Sequence, residues 1–257
     1  MAAPTLVHSV QLRSTLLRIV QTPCIITKPP PSSSTPLSLV VPTNPFLTST
    51  TKFPYFSTGG PSQHKFESPR QHQADWAPPG FVSNWGGMEI GGGMRYSSQT
   101  VDGLVCLHGG KEYQQSLQDM RDSSSTSPHA LDEGTSDSPP TAKFLTCPAP
   151  PKITSLGYDH LIHLAVPPSS SPPNHLLRVI SWALSSSPPS TTTNAPLIGA
   201  GCRGWDVTSA TTAFLDAVKA VDKTKISATQ TTPNTINLCV MDLEIADTIK
   251  SIASSKI

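Results

Sequence analysis

An α/β layer fold, with helices covering a mostly parallel or mixed sheet, is what this chain predicts. Three observations carry that expectation. From Val101 to the C-terminus, short apolar runs alternate with amphipathic ones. The run His160–Val166 (HLIHLAV) is apolar on both alternating faces, as in a strand covered from both sides. The stretch Ala195–Asp222 (APLIGAGCRGWDVTSATTAFLDAVKAVD) reads as a strand, a glycine loop and a helix.

Taken in order, Val101–Leu107 (VDGLVCL) suits a short buried strand, followed by Gly109-Gly110 and a helical stretch Glu112–Arg121. Ala142–Cys147 reads as a strand and His160–Val166 as another. His175–Leu184 is a helix with Leu176, Ile180, Ala183 and Leu184 on one side, between two Ser/Pro/Thr loops at Pro167–Pro173 and Ser185–Thr193. Pro196–Ile198 is the strand that enters the glycine loop. Ala210, Phe214, Ala217, Val218 and Val221 recur at helical spacing after it, and Asp206 stands where an N-cap belongs. Ile236–Met241 is the last strand. Leu243, Ala246, Ile249 and Ala253 mark the last helix.

Residues 1–66 read differently. They hold Arg13, Arg18, Lys28, Lys52 and Lys65 but no acid, so the overall charge of +1 less these five leaves −4 for the rest. With Leu12, Leu16, Ile19 and Val20 spaced for a helix over Val7–Gln21, this is the composition of an organellar transit peptide. Mitochondrion is the first expected destination and plastid the second. The alternative is an unstructured basic tail on a cytoplasmic protein. Residues 1–70 are thus expected to be a leader and disordered linker, and 75–257 the folded domain, with an acidic, Ser-rich disordered insert at 122–140. The aromatic and glycine-rich Ala74–Gly93 has no firm reading beyond a cover, an edge strand or a flexible turn.

Composition limits the chemistry. Only 14% of residues are charged and 27 are proline. The acidic body lacks the basic patch that nucleic acid needs, and no apolar run is long enough to span a membrane. The five cysteines are odd in number and form no Cys-x-x-Cys pair, which implies reduced thiols rather than disulfides or a zinc site. No nucleophile elbow, zinc-protease helix or Walker loop is present, so neither metal nor cofactor is expected. Cys106 and His108, two apart on the expected strand, point the same way and are the weak candidates for catalysis.

The glycine loop is the feature with chemical content. Glycines between a strand and a helix let backbone approach a ligand, and amides at a helix start favour an anion such as a diphosphate. A tight turn with no ligand is the alternative. Gly199-x-Gly201-x-x-Gly204 matches the dinucleotide fingerprint literally, but it lies too near the C-terminus, and Asp242 and Glu244 come too late for the ribose-binding acid. Pro196-x-Ile198-x-x-Gly201-x-x-Gly204-Trp205 instead resembles, without a gap, the phosphate loop of macro domains.

The likeness extends along the chain. VDGLVCL is similar to that family's Val-Asp-Ala-Ile-Val-Asn strand. AKFLTCPAPPKI with YDHLIHLAVPP resembles its next two strands, LLRVISWAL its following helix, and INLCVMDLEIADTIKSI its last strand and helix. The resemblance implies a three-layer α/β/α macro-like domain with a mixed, mostly parallel sheet behind a disordered N-terminal segment. It implies ADP-ribose or a related nucleotide diphosphate as ligand, held by Gly199, Ala200, Gly201, Cys202, Arg203, Gly204 and Trp205, with Gly109 and Gly110 as remnants of the family's glycine-rich loop. Counted from Asp102, the family's Gly-Asp-Ile carboxylate falls near Gly93-Met94-Arg95 and its two Asn on Cys106 and Gly109, so both are missing. A binding module is therefore expected first. A non-catalytic docking piece among organellar proteins comes second, and an ADP-ribosyl hydrolase third.

Overall fold

The computed structural model describes residues 3–30, 36–43, 101–123, 144–167, 169, 171–188, 191–200, 204–224 and 234–257. Their strands are β1 (Thr5–Gln11), β2 (Thr15–Gln21), β3 (Leu37–Thr43), β4 (Phe144–Pro148), β5 (His160–Ala165), β6 (Thr192–Pro196) and β7 (Asn234–Val240). The helices are α1 (Val101–Ser123), α2 (Pro151–Thr154), α3 (Pro173–Ser185), α4 (Val207–Thr224) and α5 (Leu243–Lys256). All seven strands form one sheet in the order β1-β2-β7-β6-β3-β5-β4. The inner five run parallel, while β1 on β2 and β4 on β5 are antiparallel at the two edges.

Helices α3, α4 and α5 pack on one face, where Phe214, Leu215, Ile180 and Ile249 meet Val40, Ile162, Ala195 and Leu238. On the other face α1 and α2 place Val105, Tyr113, Leu117 and Ile153 against Leu39, Val41, Leu161 and Cys239. This is the expected three-layer α/β/α arrangement. Its central strands need cover on both sides, which is why LSLVV at the start of β3 is buried without alternation. Caps fix the helix starts. Asp206 Oδ1 accepts from the Ser209 amide at 2.8 Å, as expected, and Asp242 Oδ1 accepts from Glu244 at 2.7 Å. Pro172 and Pro173 open α3, where a missing N–H costs nothing. Among the described residues no helix is long and apolar enough to cross a membrane.

The N-terminal segment departs from the expectation. Val7–Gln21 is a hairpin, and β1, β2 and β3 are three strands of the sheet, so the domain starts at Thr5 and not at 75. Excision of 1–66 as a leader would take out two interior strands. The same stretch that offers a helical stripe also carries strand alternation: Leu17 and Ile19 point into the core, while Leu16 and Arg18 are half-buried. What selects the strand is distant in sequence. β2 pairs in parallel with β7 from Thr15–Asn234 to Gln21–Val240. The hairpin turn is clamped by Asp222 at the end of α4, whose Oδ1 accepts from the Ser14 amide at 2.8 Å and from Ser14 Oγ at 2.9 Å. Burial alone would raise the Asp222 carboxyl, but these hydrogen bonds outweigh it and hold the pKa below the ordinary value.

Two further elements are corrected. Val101–Leu107 is not a strand but the start of α1. Val101, Leu104 and Val105 follow helical spacing as readily as a buried strand, and a seven-residue run leaves the period open. The strand before the glycine loop lies at Thr192–Pro196 rather than Pro196–Ile198. Its Thr and Asn residues look like loop until their partners are seen. Thr193 Oγ1 donates to Ser187 Oγ at 2.8 Å, and Asn194 is hydrogen-bonded inside the core. The segment 74–93 and residues 124–140 of the acidic insert lie outside the described residues.

Candidate functional site

Parallel open sheets bind ligands beyond the carboxyl ends of their strands, where neighbouring connections leave to opposite faces. That point falls between β3 and β6. Among the described residues the next helix after β3 is α1, on one face, and the next after β6 is α4, on the other. The ladder between the two strands also stops early. It runs from Leu37–Thr192 to Leu39–Asn194 and ends there, while β3 stays paired with β5 to Thr43–Ala165 and β6 with β7 to Pro196–Cys239. Past Leu39 the sheet is split.

The glycine loop sits at this split. Gly199 and Gly204 both hold positive φ, 95° and 74°, a conformation that side-chain-bearing residues avoid. The Trp205 amide donates to the Gly199 carbonyl at 3.2 Å and closes the loop. Gly199 is also required sterically, because a Cβ there would stand 2.9 Å from Trp205 Cδ1 and 3.3 Å from Leu176 Cδ2. Trp205 itself is 7% exposed, and its Nε1 donates to the Pro167 carbonyl at 2.9 Å. It ties the loop after β6 to the loop after β5, so its ring belongs to the core of the α3–α5 face.

Gly199, Ala200, Gly204 and Trp205 are thus together, whereas Gly201, Cys202 and Arg203 lie outside the described residues. The start of α4 carries no vacant anion seat of its own. The Asp206 carboxylate occupies it, held below its usual pKa by its hydrogen bonds with Ser209.

Gly109 and Gly110, expected as remnants of a glycine-rich loop, do not form a loop. They form a kink inside α1, with Gly110 at φ 72° and ψ −169°. A Cβ on Gly109 would collide with the Tyr113 ring at 2.5 Å, so this glycine serves packing. Cys106 and His108 lie in the same helix, at positions about 200° apart around its axis. The common strand face expected for them does not exist. Among the described residues Cys147 and Cys239 are free and buried and Cys24 is half-buried, and burial pushes the Cys147 thiol up to about 12.

Sequence reasoning missed several residues. Asp102, read as part of a strand, is a carboxylate 4% exposed in the first turn of α1. Only the helical period through Val101, Leu104 and Val105 signals that placement. Met241, 71% exposed, and Leu243 flank Asp242 at the carboxyl end of β7, beside the turn that leaves β2. That turn begins where the Thr22 amide donates to the Val240 carbonyl at 2.8 Å. His163 faces α1 from β5 and shares a hydrogen bond with the Tyr113 hydroxyl.

Complete burial lowers His163 from 6.5 to about 4, so it is neutral at pH 7. Because the unfolded chain binds its proton first, stability should fall as pH drops from 6.5 towards 4, by about 3 kcal/mol in all. Urea melts across that interval check the slope, and in His163→Gln this part of it should vanish.

No family model and no curated protein matches the chain. Solved structures do. The macrodomain of Oceanobacillus iheyensis with ADP superposes with a TM-score of 0.56 over 99% of this chain and 97% of its own, at 12% identity. The same macrodomain with MES bound gives 0.54 over 99% of each chain, at 14% identity. A point mutant of it with ADPR gives 0.55 over 98% of each, at 14% identity.

This chain has the macrodomain fold.

Val101–Leu107, compared in the sequence with that family's Val-Asp-Ala-Ile-Val-Asn strand, is the helical start of α1, so motif positions counted from Asp102 lose their basis.

Proposed function

We propose that this macrodomain binds ADP-ribose or a related nucleotide diphosphate across the carboxyl rim of its sheet. The observation that carries this reading is the glycine loop itself. It has two left-handed glycines and a backbone closure, and it sits at the split between β3 and β6. The loop takes the diphosphate on its main chain. Two inter-strand spacings away, about 10 Å, the turn after β2 and the exposed Met241 give the nucleoside an apolar, polarizable surface. The similar macrodomain structures solved with ADP and with ADPR support the choice of ligand class. A carboxylate to read the base is missing from the turn, so the reading favours the diphosphate over base selectivity.

Calorimetric titration with ADP-ribose, ADP and NAD tests it. Saturable binding that is lost in Gly201→Glu is the expected result. No response to any of the three would leave the docking role as the better account. A hydrolase reading rests on Asp102, a carboxylate buried at the start of α1. It predicts release of free ADP-ribose from ADP-ribosylated protein, abolished in Asp102→Asn.

A further inference from the structure

Across the α1–α2 face of the sheet runs a chain of hydrogen bonds that no packing requirement explains. Asn237 on β7 donates Nδ2 to Asn194 Oδ1 on β6 at 2.7 Å. Asn194 donates Nδ2 to the Tyr158 hydroxyl at 3.1 Å. Tyr158, ahead of β5, donates to the Ile25 carbonyl in the segment that leaves β2. All three side chains are fully buried. The direction of the chain is forced. A carbonyl only accepts, so Tyr158 must donate to Ile25 and its oxygen must accept from Asn194. That turns Asn194 Oδ1 towards Asn237, which must offer its amide N–H. At the far end Asn237 Oδ1 is left without a partner, a cost an apolar pair at these positions would avoid.

The chain links the two walls of the site. Asn194 is two residues ahead of Pro196, where β6 runs into the glycine loop. Ile25 lies within the turn after β2, whose start is pinned to β7 by the Thr22 amide donating to the Val240 carbonyl at 2.8 Å. Beyond that point Thr22 Oγ1 donates to the Lys28 carbonyl at 2.7 Å and the Lys28 amide to the Cys24 carbonyl at 2.9 Å. These two bonds are local to the turn, and Tyr158 ties its middle to the strands opposite. We infer that Asn237, Asn194 and Tyr158 are positioning residues that set the turn Thr22–Lys28 at a fixed distance from the glycine loop, and so set the span of ligand the rim accepts. The ligand part of this inference rests on the nucleotide reading above; the positioning part does not.

Tyr158→Phe removes one oxygen, keeps the ring, and disconnects the turn from β6. Two measurements on the full chain follow. In hydrogen exchange, the amide of Lys28 within the turn should exchange about tenfold faster or more than in the parent, while those of α4 and of Thr22, which is bonded to β7, keep their rates. Asn237→Ala, which breaks the chain at its remote end, should give the same pattern more weakly. Equal acceleration in α4, or none in the turn, would overturn the inference by reducing the chain to ordinary core stability. In titrations, ADP should lose about tenfold in affinity while inorganic pyrophosphate, which touches only the loop, is unchanged. An unchanged ratio of ADP to pyrophosphate affinity would also overturn it. Should the parent chain bind neither probe, the nucleotide reading fails, and the exchange rates alone decide the positioning.

Discussion

A chain that begins at residue 67, after the acid-free basic stretch, is expected not to fold. It would lack β1, β2 and β3, and with them Leu17, Ile19, Leu39, Val40 and Val41, all fully buried. Each such side chain contributes about 2–5 kcal/mol when truncated to alanine, against a total stability of roughly 5–15 kcal/mol for a domain. The loss is not confined to side chains. β3 pairs with both β5 and β6, so its removal leaves two facing rows of backbone N–H and C=O groups inside the protein. Asp222 would lose both Ser14 donors and become a partly buried carboxylate at a helix C-terminus, where the helix dipole disfavours it. Circular dichroism and urea titration of residues 67–257 check this. A cooperative transition resembling that of the full chain would mean that the first three strands are dispensable.

Gly199→Val should be the most damaging single substitution in the loop. It pays twice: about 1–2 kcal/mol for forcing a side chain into the left-handed region, and about 1–3 kcal/mol for pushing Cβ into Trp205 and Leu176. A loss of roughly 2–5 kcal/mol corresponds to a fall of about 4–20 °C in Tm. Relief requires Trp205 to move, which breaks its bond to the Pro167 carbonyl and opens the link between the loops after β5 and β6. Ligand binding through the loop should therefore disappear at temperatures where the variant is still folded. Gly110→Ala is the control. Its φ is also positive, but nothing lies within 4 Å of the added carbon, so only the smaller backbone cost applies. Equal destabilisation by the two would show that the Trp205 contact contributes nothing.

The helices of the α3–α5 face were legible because each carries its own proof. Phe214, Ala217, Val218 and Val221 fix which side of α4 is buried, and Asp206 marks its start, so local spacing and capping agree. The N-terminal hairpin and the start of α1 offered no such agreement. Leu12, Leu16, Ile19 and Val20 fit a helix, while Leu17 and Ile19 fit a strand. Nothing within those residues chooses between the two. β6 failed for a different reason: Thr192, Thr193 and Asn194 look like loop, and only hydrogen-bond partners elsewhere in the chain allow them to be buried.

For the site, the glycine spacing after β6 could be read from residue order, because backbone freedom is a property of single positions. The use of Trp205 as a buried tie, the kink at Gly109-Gly110 and the split between β3 and β6 could not. Each depends on a residue far along the chain coming within contact, which local sequence does not encode. By itself, then, the amino-acid order determined the α/β class, the α3–α5 helices and the glycine turn after β6. Tertiary pairing decided which residues are strands at the N-terminus and which polar side chains belong to the core, because burial of a polar group is stable only once its distant partner is in place.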